Sequence, residues 1–168
     1  MEAKPLDKLQ DRSFFDCEVE PLNDYLKKYA LQNQKKDAAR TYVATNEKNQ
    51  IIGYYTLVFG SVSIEETTPE IAAGLGKYPI PVILLARLAI DKTQKGKGLG
   101  KALMRDALLR AVRASEIAGL RAFLVHAKDE SAKTFYEKLG FKPSPHNEFH
   151  LFLKMSDIRA SLADTEQN

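Results

Sequence analysis

From Val82 to Asp91 the chain runs almost without interruption through apolar, mostly branched residues, and glycines at positions 96, 98 and 100 follow at once. An unbroken apolar run of this length marks a strand buried on both faces, because polar alternation is lost when neither face meets water. Beyond the glycines, Leu99, Leu103, Ala107, Ala111 and Ala114 recur at helical spacing with arginines opposite. That pattern predicts an amphipathic helix from about Leu99 to Ala118. A buried strand that turns through glycine into a long helix commits the chain to an α/β fold.

The remaining segments fit around this unit. The stretch up to Glu20 is irregular, with a short strand expected at Leu6–Leu9. Pro21 suits a first helical position, and Leu22, Tyr25, Leu26 and Tyr29 continue at helical spacing to near Lys36. Thr41–Thr45 and Ile51–Ser63 read as a hairpin around the polar turn 46–50. Residues 65–81 form a loop with one helical turn near Pro69–Ala73. Arg121–Ala127 is a further buried strand, Asp129 caps a helix to Leu139, and Gly140 is placed to end it in the left-handed conformation. Phe149–Met155 is the last strand, and the tail from Ser156 is expected to be loosely held. Strands first, then β-α-β-α-β, gives a mixed α/β sheet in one domain. The domain is expected to span residues 1–155, with 156–168 as a C-terminal tail.

Composition narrows the function. The 168 residues suit one domain with a real core. Cys17 is the single cysteine, so no intrachain disulfide can form, and no signal peptide is recognised; the cytoplasm is the expected compartment. The longest apolar run, Ile80–Ile90, contains Pro81 and Arg87 and is too short to span a bilayer, so no membrane role is expected. Net charge is only +3, but Lys92, Lys95, Lys97, Lys101, Arg105, Arg110 and Arg113 face Asp106 alone over one segment. A second basic cluster, Lys27, Lys28, Lys35, Lys36 and Arg40, is broken only by Asp37. Such concentration suits an anionic partner; it also suits the solvated faces of two amphipathic helices.

The segment Lys95-Gly96-Lys97-Gly98-Leu99-Gly100-Lys101 carries the chemistry. Glycines let the backbone approach a ligand, and the free N–H groups of a helix start point at whatever binds there. With Lys95, Lys97 and Lys101 adding charge, this is a pyrophosphate seat. A P-loop needs four residues between its glycine and Gly-Lys, then Ser or Thr; here Gly96 and Gly100 enclose three, and Ala102 follows Lys101. A dinucleotide fingerprint needs Gly-x-Gly-x-x-Gly, and these glycines are each two apart. Both readings fail on spacing.

The segment instead resembles the pyrophosphate motif of the GNAT acetyltransferase superfamily, with Lys95 where that motif has Arg or Gln. Asp129-Glu130-Ser131-Ala132-Lys133-Thr134-Phe135-Tyr136-Glu137-Lys138-Leu139-Gly140-Phe141 resembles its second signature, in the expected order. The resemblance implies a single-domain α/β GNAT fold with a mixed, mostly antiparallel central sheet flanked by helices, acetyl-CoA as co-substrate and no metal. It implies pantetheine held by the backbone of Leu88, Ala89 and Ile90, and cofactor contacts from Lys95 to Lys101 and at Asp129 and Ala132. A tyrosine, with reference pKa near 10, suits proton donation to a departing thiolate, and the resemblance gives that role to Tyr136; a core aromatic is the other reading. No general base stands out. His126 closes a strand, where a lone histidine is more often structural. The lack of a base favours α-amines, which titrate near 8, over lysine side chains.

Phe15-Asp16-Cys17, Ala39-Arg40-Thr41, Gly53-Tyr54-Tyr55, Leu85-Ala86-Arg87-Leu88-Ala89-Ile90 and Val125-His126-Ala127 are similar to one branch, the GNAT toxins of bacterial toxin–antitoxin pairs. That resemblance implies acetylation of the α-amine on aminoacyl-tRNA, a block of translation, a ribbon-helix-helix antitoxin partner and a homodimer. Lys27, Lys28, Lys35, Lys36 and Arg40 are then candidates for RNA phosphates, and Arg87 for the acceptor end. A GNAT enzyme acting on a small-molecule or peptide amine, and a non-catalytic binding module, are the alternatives.

Overall fold

In the computed structural model, which describes residues 2–166, the double-sided strand is β4 (Ile80–Ile90) and the glycine turn leads into α4 (Leu99–Ser115). They belong to a seven-stranded, mostly antiparallel sheet in the order β1-β2-β3-β4-β5-β7-β6. Its other strands are β1 (Lys4–Pro5), β2 (Arg40–Thr45), β3 (Ile51–Val62), β5 (Ala122–His126), β6 (Lys142–Pro143) and β7 (His150–Lys154). The neighbours β4 and β5 are parallel, in register from Val82–Ala122 to Leu85–Val125. The remaining helices are α1 (Glu20–Asp24), α2 (Ala30–Lys35), α3 (Pro69–Ala72), α5 (Glu130–Lys138) and α6 (Met155–Glu166). The α/β class expected from the sequence is the one observed.

The chain falls into two compact units. One comprises residues up to Val58 with Ala86–Ala107; the other comprises Phe59–Leu85 with the chain from Leu108 onward. The core of the first joins Phe15, Tyr25, Leu26, Val43, Ile51 and Tyr54, with Phe15 edge-on to Tyr54 at 5.5 Å between centroids. Gly53 is required there: a Cβ would fall 2.9 Å from Leu103 and 3.1 Å from Leu99 on α4. The core of the second joins Val62, Ile71, Ile80, Val82, Ala122, Leu124 and Phe152.

Three expectations are corrected. The first strand lies at Lys4–Pro5, not Leu6–Leu9; pairing with β2 ends when Leu6 donates its N–H to Thr41, and the chain then turns. The predicted first helix is continuous but changes pitch: Tyr25–Tyr29 is a π-turn between α1 and α2, closed by the Ala30 N–H on the Tyr25 carbonyl. The tail beyond Ser156 is helical rather than loose. Within α6, Met155 and Ile158 are buried, and the Arg159 guanidinium donates to Ser115 Oγ at 3.1 Å. Residues 1, 167 and 168, at the ends of the proposed domain and tail, lie outside the described residues.

Candidate active site

The glycine turn is built for backbone approach. Asp91 follows β4 and caps a short 3-10 turn, its carboxylate accepting from Thr93 N–H at 3.0 Å and Thr93 Oγ1 at 2.8 Å. Gly96 and Gly98 then take φ of 75° and 81°, which L side chains resist. Nothing lies within 4 Å of where a Cβ would sit at Gly96, Gly98 or Gly100. Because α4 starts at Leu99, its first-turn N–H groups have no intrahelical acceptor. The turn is therefore an open cradle of donors that fits a pyrophosphate. Lys97 and Lys101 are exposed beside it. Lys95 is not free in the same way, since its ammonium pairs with Glu18 at 2.9 Å.

A brace that sequence reasoning missed holds this turn in place. The Asp91 carboxylate accepts the Asp16 N–H at 2.9 Å, and Lys92 N–H donates to the Asp16 carbonyl at 2.8 Å. The Asp16 carboxylate in turn accepts from Glu18 N–H, Asn23 Nδ2 and Lys92 Nζ at 2.9, 3.1 and 3.1 Å. These bonds, the Glu18 amide first and then Lys92 and Asn23, hold its carboxyl down at about 2. Glu18 itself takes φ 67°, an unusual value for a glutamate. The available signal was Asp16 within Phe15-Asp16-Cys17, whose partner 75 residues away no spacing rule reveals.

In the same unit, Ala89 is buried, while Leu88 and Ile90 are half-buried. Arg87 is half-buried too, with its guanidinium carbon 3.6 Å from the Tyr25 ring centroid. The π-turn that carries Tyr25 thus fixes the arginine by a cation–π contact. The basic cluster is partly neutralised: Lys28 pairs with Asp24 at 3.3 Å and Arg40 with Asp37 at 3.0 Å. Lys35 and Lys36 are exposed and Lys27 half-buried. Surface pairs of this kind are weak and exchange readily for phosphate.

The second unit carries the tyrosine. Asp129 stands at the N-cap of α5, its carboxylate accepting the Ala132 N–H at 2.8 Å. Asp129 and Ala132 are therefore engaged with each other, and the geometry gives them the task of starting the helix. Tyr136 is buried near the end of α5, its ring edge-on to Phe135 and Phe141 at 5.2 and 5.7 Å. Burial pushes its hydroxyl up to about 12. A phenol held neutral at every physiological pH donates hydrogen bonds and does not act as a base. His126, at the end of β5, is exposed and stacks on His150 of β7 at 3.9 Å. Among the described residues no cluster of three or more metal-ligating side chains occurs. No helix among them is long and apolar enough to cross a membrane.

Comparison with known proteins gives this geometry a context. Residues 37–143 match the acetyltransferase (GNAT) domain. A tRNA-acetylating toxin of Mycobacterium tuberculosis is 40% identical over 154 residues, 92% of each chain. A structure of AtaT complexed with acetyl-methionyl-tRNAfMet superimposes with TM-score 0.88 at 30% identity, covering 95% of this chain and 98% of that one. A mutant AtaT toxin bound to the C-terminus of the antitoxin AtaR and acetyl-CoA does so with TM-score 0.81 at 29% identity, covering 95% and 96%.

Proposed function

This chain belongs to the GNAT acetyltransferase family, and on that premise we propose that it moves the acetyl group of acetyl-CoA onto the α-amine of aminoacyl-tRNA. It acts in the cytoplasm as a toxin that blocks translation, works as a homodimer, and is restrained by a ribbon-helix-helix antitoxin. The observation that carries the reading is the open glycine cradle at the head of α4 in a chain that also buries a neutral tyrosine at the end of α5. The relatives matched along nearly the whole chain include a tRNA-acetylating toxin and AtaT, which supports the reading.

Each role follows from local chemistry. The N–H groups of the first turn of α4 take the pyrophosphate, with Lys97 and Lys101 adding charge and the Asp16–Asp91 brace keeping the turn open. Lys95 contributes through its backbone, and its ammonium, held on Glu18 only by an exposed pair, can turn to phosphate as those of Lys28 and Arg40 can. Leu88, Ala89 and Ile90 offer strand backbone to the pantetheine, and the Asp129–Ala132 cap orients α5. Tyr136 acts at the sulfur. Lys27, Lys28, Lys35, Lys36 and Arg40 bind RNA phosphates, and Arg87, fixed on Tyr25, faces the acceptor end.

The test is transfer of radiolabelled acetyl from acetyl-CoA to a total charged-tRNA pool, beside deacylated tRNA and a panel of free amines. Label confined to charged tRNA, and lost with Tyr136→Phe, is the expected result. Label on free small amines or peptides instead would retain the acetyltransferase and remove the toxin.

A further inference from the structure

The acceptor amine arrives on the charged tRNA partly as an ammonium ion, and it attacks only after losing a proton. The second unit contains a cleft of about 220 Å³ suited to that step. Leu84, Leu124 and Phe152 supply apolar lining, while Glu66, His126 and His150 supply polar lining. The two imidazoles lie face to face, 3.9 Å apart and 13° from parallel, because His126 and His150 are directly opposite in the antiparallel β5–β7 pair. At that separation a positive charge on one imidazole would be repelled directly by a charge on the other.

Alternation along β5 separates this cleft from the tyrosine. Leu124 and His126 face the cleft, whereas Phe123 faces the other way, edge-on to Phe141, which in turn packs against Tyr136. His126 is also the first β5 residue beyond the β4–β5 register, which stops at Leu85–Val125. A proton acceptor and the tyrosine thus lie on opposite faces of the sheet at the end of one strand. A carbonyl seated beyond that end would meet a proton acceptor on one side and a proton donor on the other.

We propose that this cleft receives the aminoacyl end of the tRNA and that the His126–His150 pair takes the proton its α-ammonium must lose. The inference rests on the aminoacyl-tRNA reading above. The ammonium N–H bond breaks and its proton passes to the His126 imidazole. The freed nitrogen lone pair forms the C–N bond to the acetyl carbonyl, and the C–S bond breaks. Tyr136 gives its proton to the departing sulfur and is restored by the second proton shed from nitrogen. His126 then releases its proton to water.

The charges in the cleft favour this sequence. Glu66, His126 and His150 are its titratable lining groups; the β3 and β4 residues that line it are not titratable. Glu66 is held anionic by the Ser63 N–H and hydroxyl, and attracts a cation. His126, though exposed at its outer edge, is lowered from its ordinary value by partial desolvation in the cleft and then by His150, so at neutral pH it is free to accept.

The experiment compares wild type, His126→Gln and His126→Gly on charged tRNA across pH, with acetyl-CoA affinity measured in parallel. His126→Gln is expected to lose about 10²-fold in kcat/KM, the low end for a general base because part of the α-amine is already neutral. Its rate should rise with hydroxide beyond the wild-type plateau, and added imidazole should restore activity to His126→Gly. His150→Phe, which keeps a stacked ring, should move the acid limb to higher pH. An unchanged pH profile in His126→Gln, or no rescue by imidazole, overturns the inference while leaving the aminoacyl-tRNA reading intact. Wild type inactive on charged tRNA overturns both.

Discussion

Replacing Tyr136 by Phe removes one oxygen and keeps the ring contacts to Phe135 and Phe141. A hydroxyl at about 12 facing a thiolate whose acid lies near 8.5 would lose its proton outright only against a gap of about 3.5 units, roughly 5 kcal/mol. In the proposed role Tyr136 would pass a proton to sulfur as it gains one from the attacking nitrogen, so that no free phenolate would accumulate. Losing such a relay is expected to lower kcat by roughly 10²–10⁴, or about 3–5 kcal/mol at 1.36 kcal/mol per decade. Acetyl-CoA affinity by calorimetry and the unfolding midpoint should hardly move. The active form is the protonated one, and burial raises its pKa, so the wild-type rate should show no tyrosine limb until about pH 12. Single-turnover acetyl transfer over pH 6–11 reads both outcomes. Unchanged turnover in the variant removes Tyr136 from the chemistry; a basic limb near 10 that disappears with the hydroxyl would refute the argument from burial.

Other consequences can be measured separately. Gly98→Glu forces a side chain into φ 81° and puts a like charge where phosphate would lie, so acetyl-CoA binding should be lost in calorimetry while the circular dichroism spectrum is kept. Retained affinity would place the pyrophosphate elsewhere. Asp129→Ala removes the cap of α5 and should cost about 1 kcal/mol, roughly 2–4 °C in the melting midpoint, with Asp129→Asn restoring most of it. Asp16, lowered to about 2, contributes stability that is present above its unfolded value near 4 and lost as pH falls through 2. Asp16→Asn should therefore flatten the acid-unfolding curve between pH 4 and 2, and an unchanged curve would deny the brace its role. Lys35→Ala with Lys36→Ala should reduce the salt dependence of charged-tRNA binding by about two phosphate contacts; an unaltered slope would move the RNA footprint.

Much of the architecture was legible because it is written locally. The run from Val82 to Asp91, the glycines at 96, 98 and 100, and the Asp129 cap with Gly140 closing its helix each depend on backbone sterics and near neighbours. They are found within a residue or two of their expected positions. The tail was misread because its helix is anchored at Met155 and Ile158 by burial, and burial is decided by what the rest of the chain presents. The π-turn at Tyr25 was likewise invisible, since the helical spacing of Leu22, Tyr25 and Leu26 suits an ordinary helix equally well.

The active-site chemistry divides along the same line. Sequence alone located the glycine turn as a candidate phosphate seat and, through the family resemblance, singled out Tyr136 as a candidate, because both lie in contiguous motifs. Tertiary structure alone decided that Asp16 braces the glycine turn, that Lys95 pairs with Glu18, and that His126 has His150 for a partner. Those contacts join residues up to 77 positions apart. They depend on strand register and loop closure, and a shift of one residue in β7 would turn His150 to the other face of the sheet.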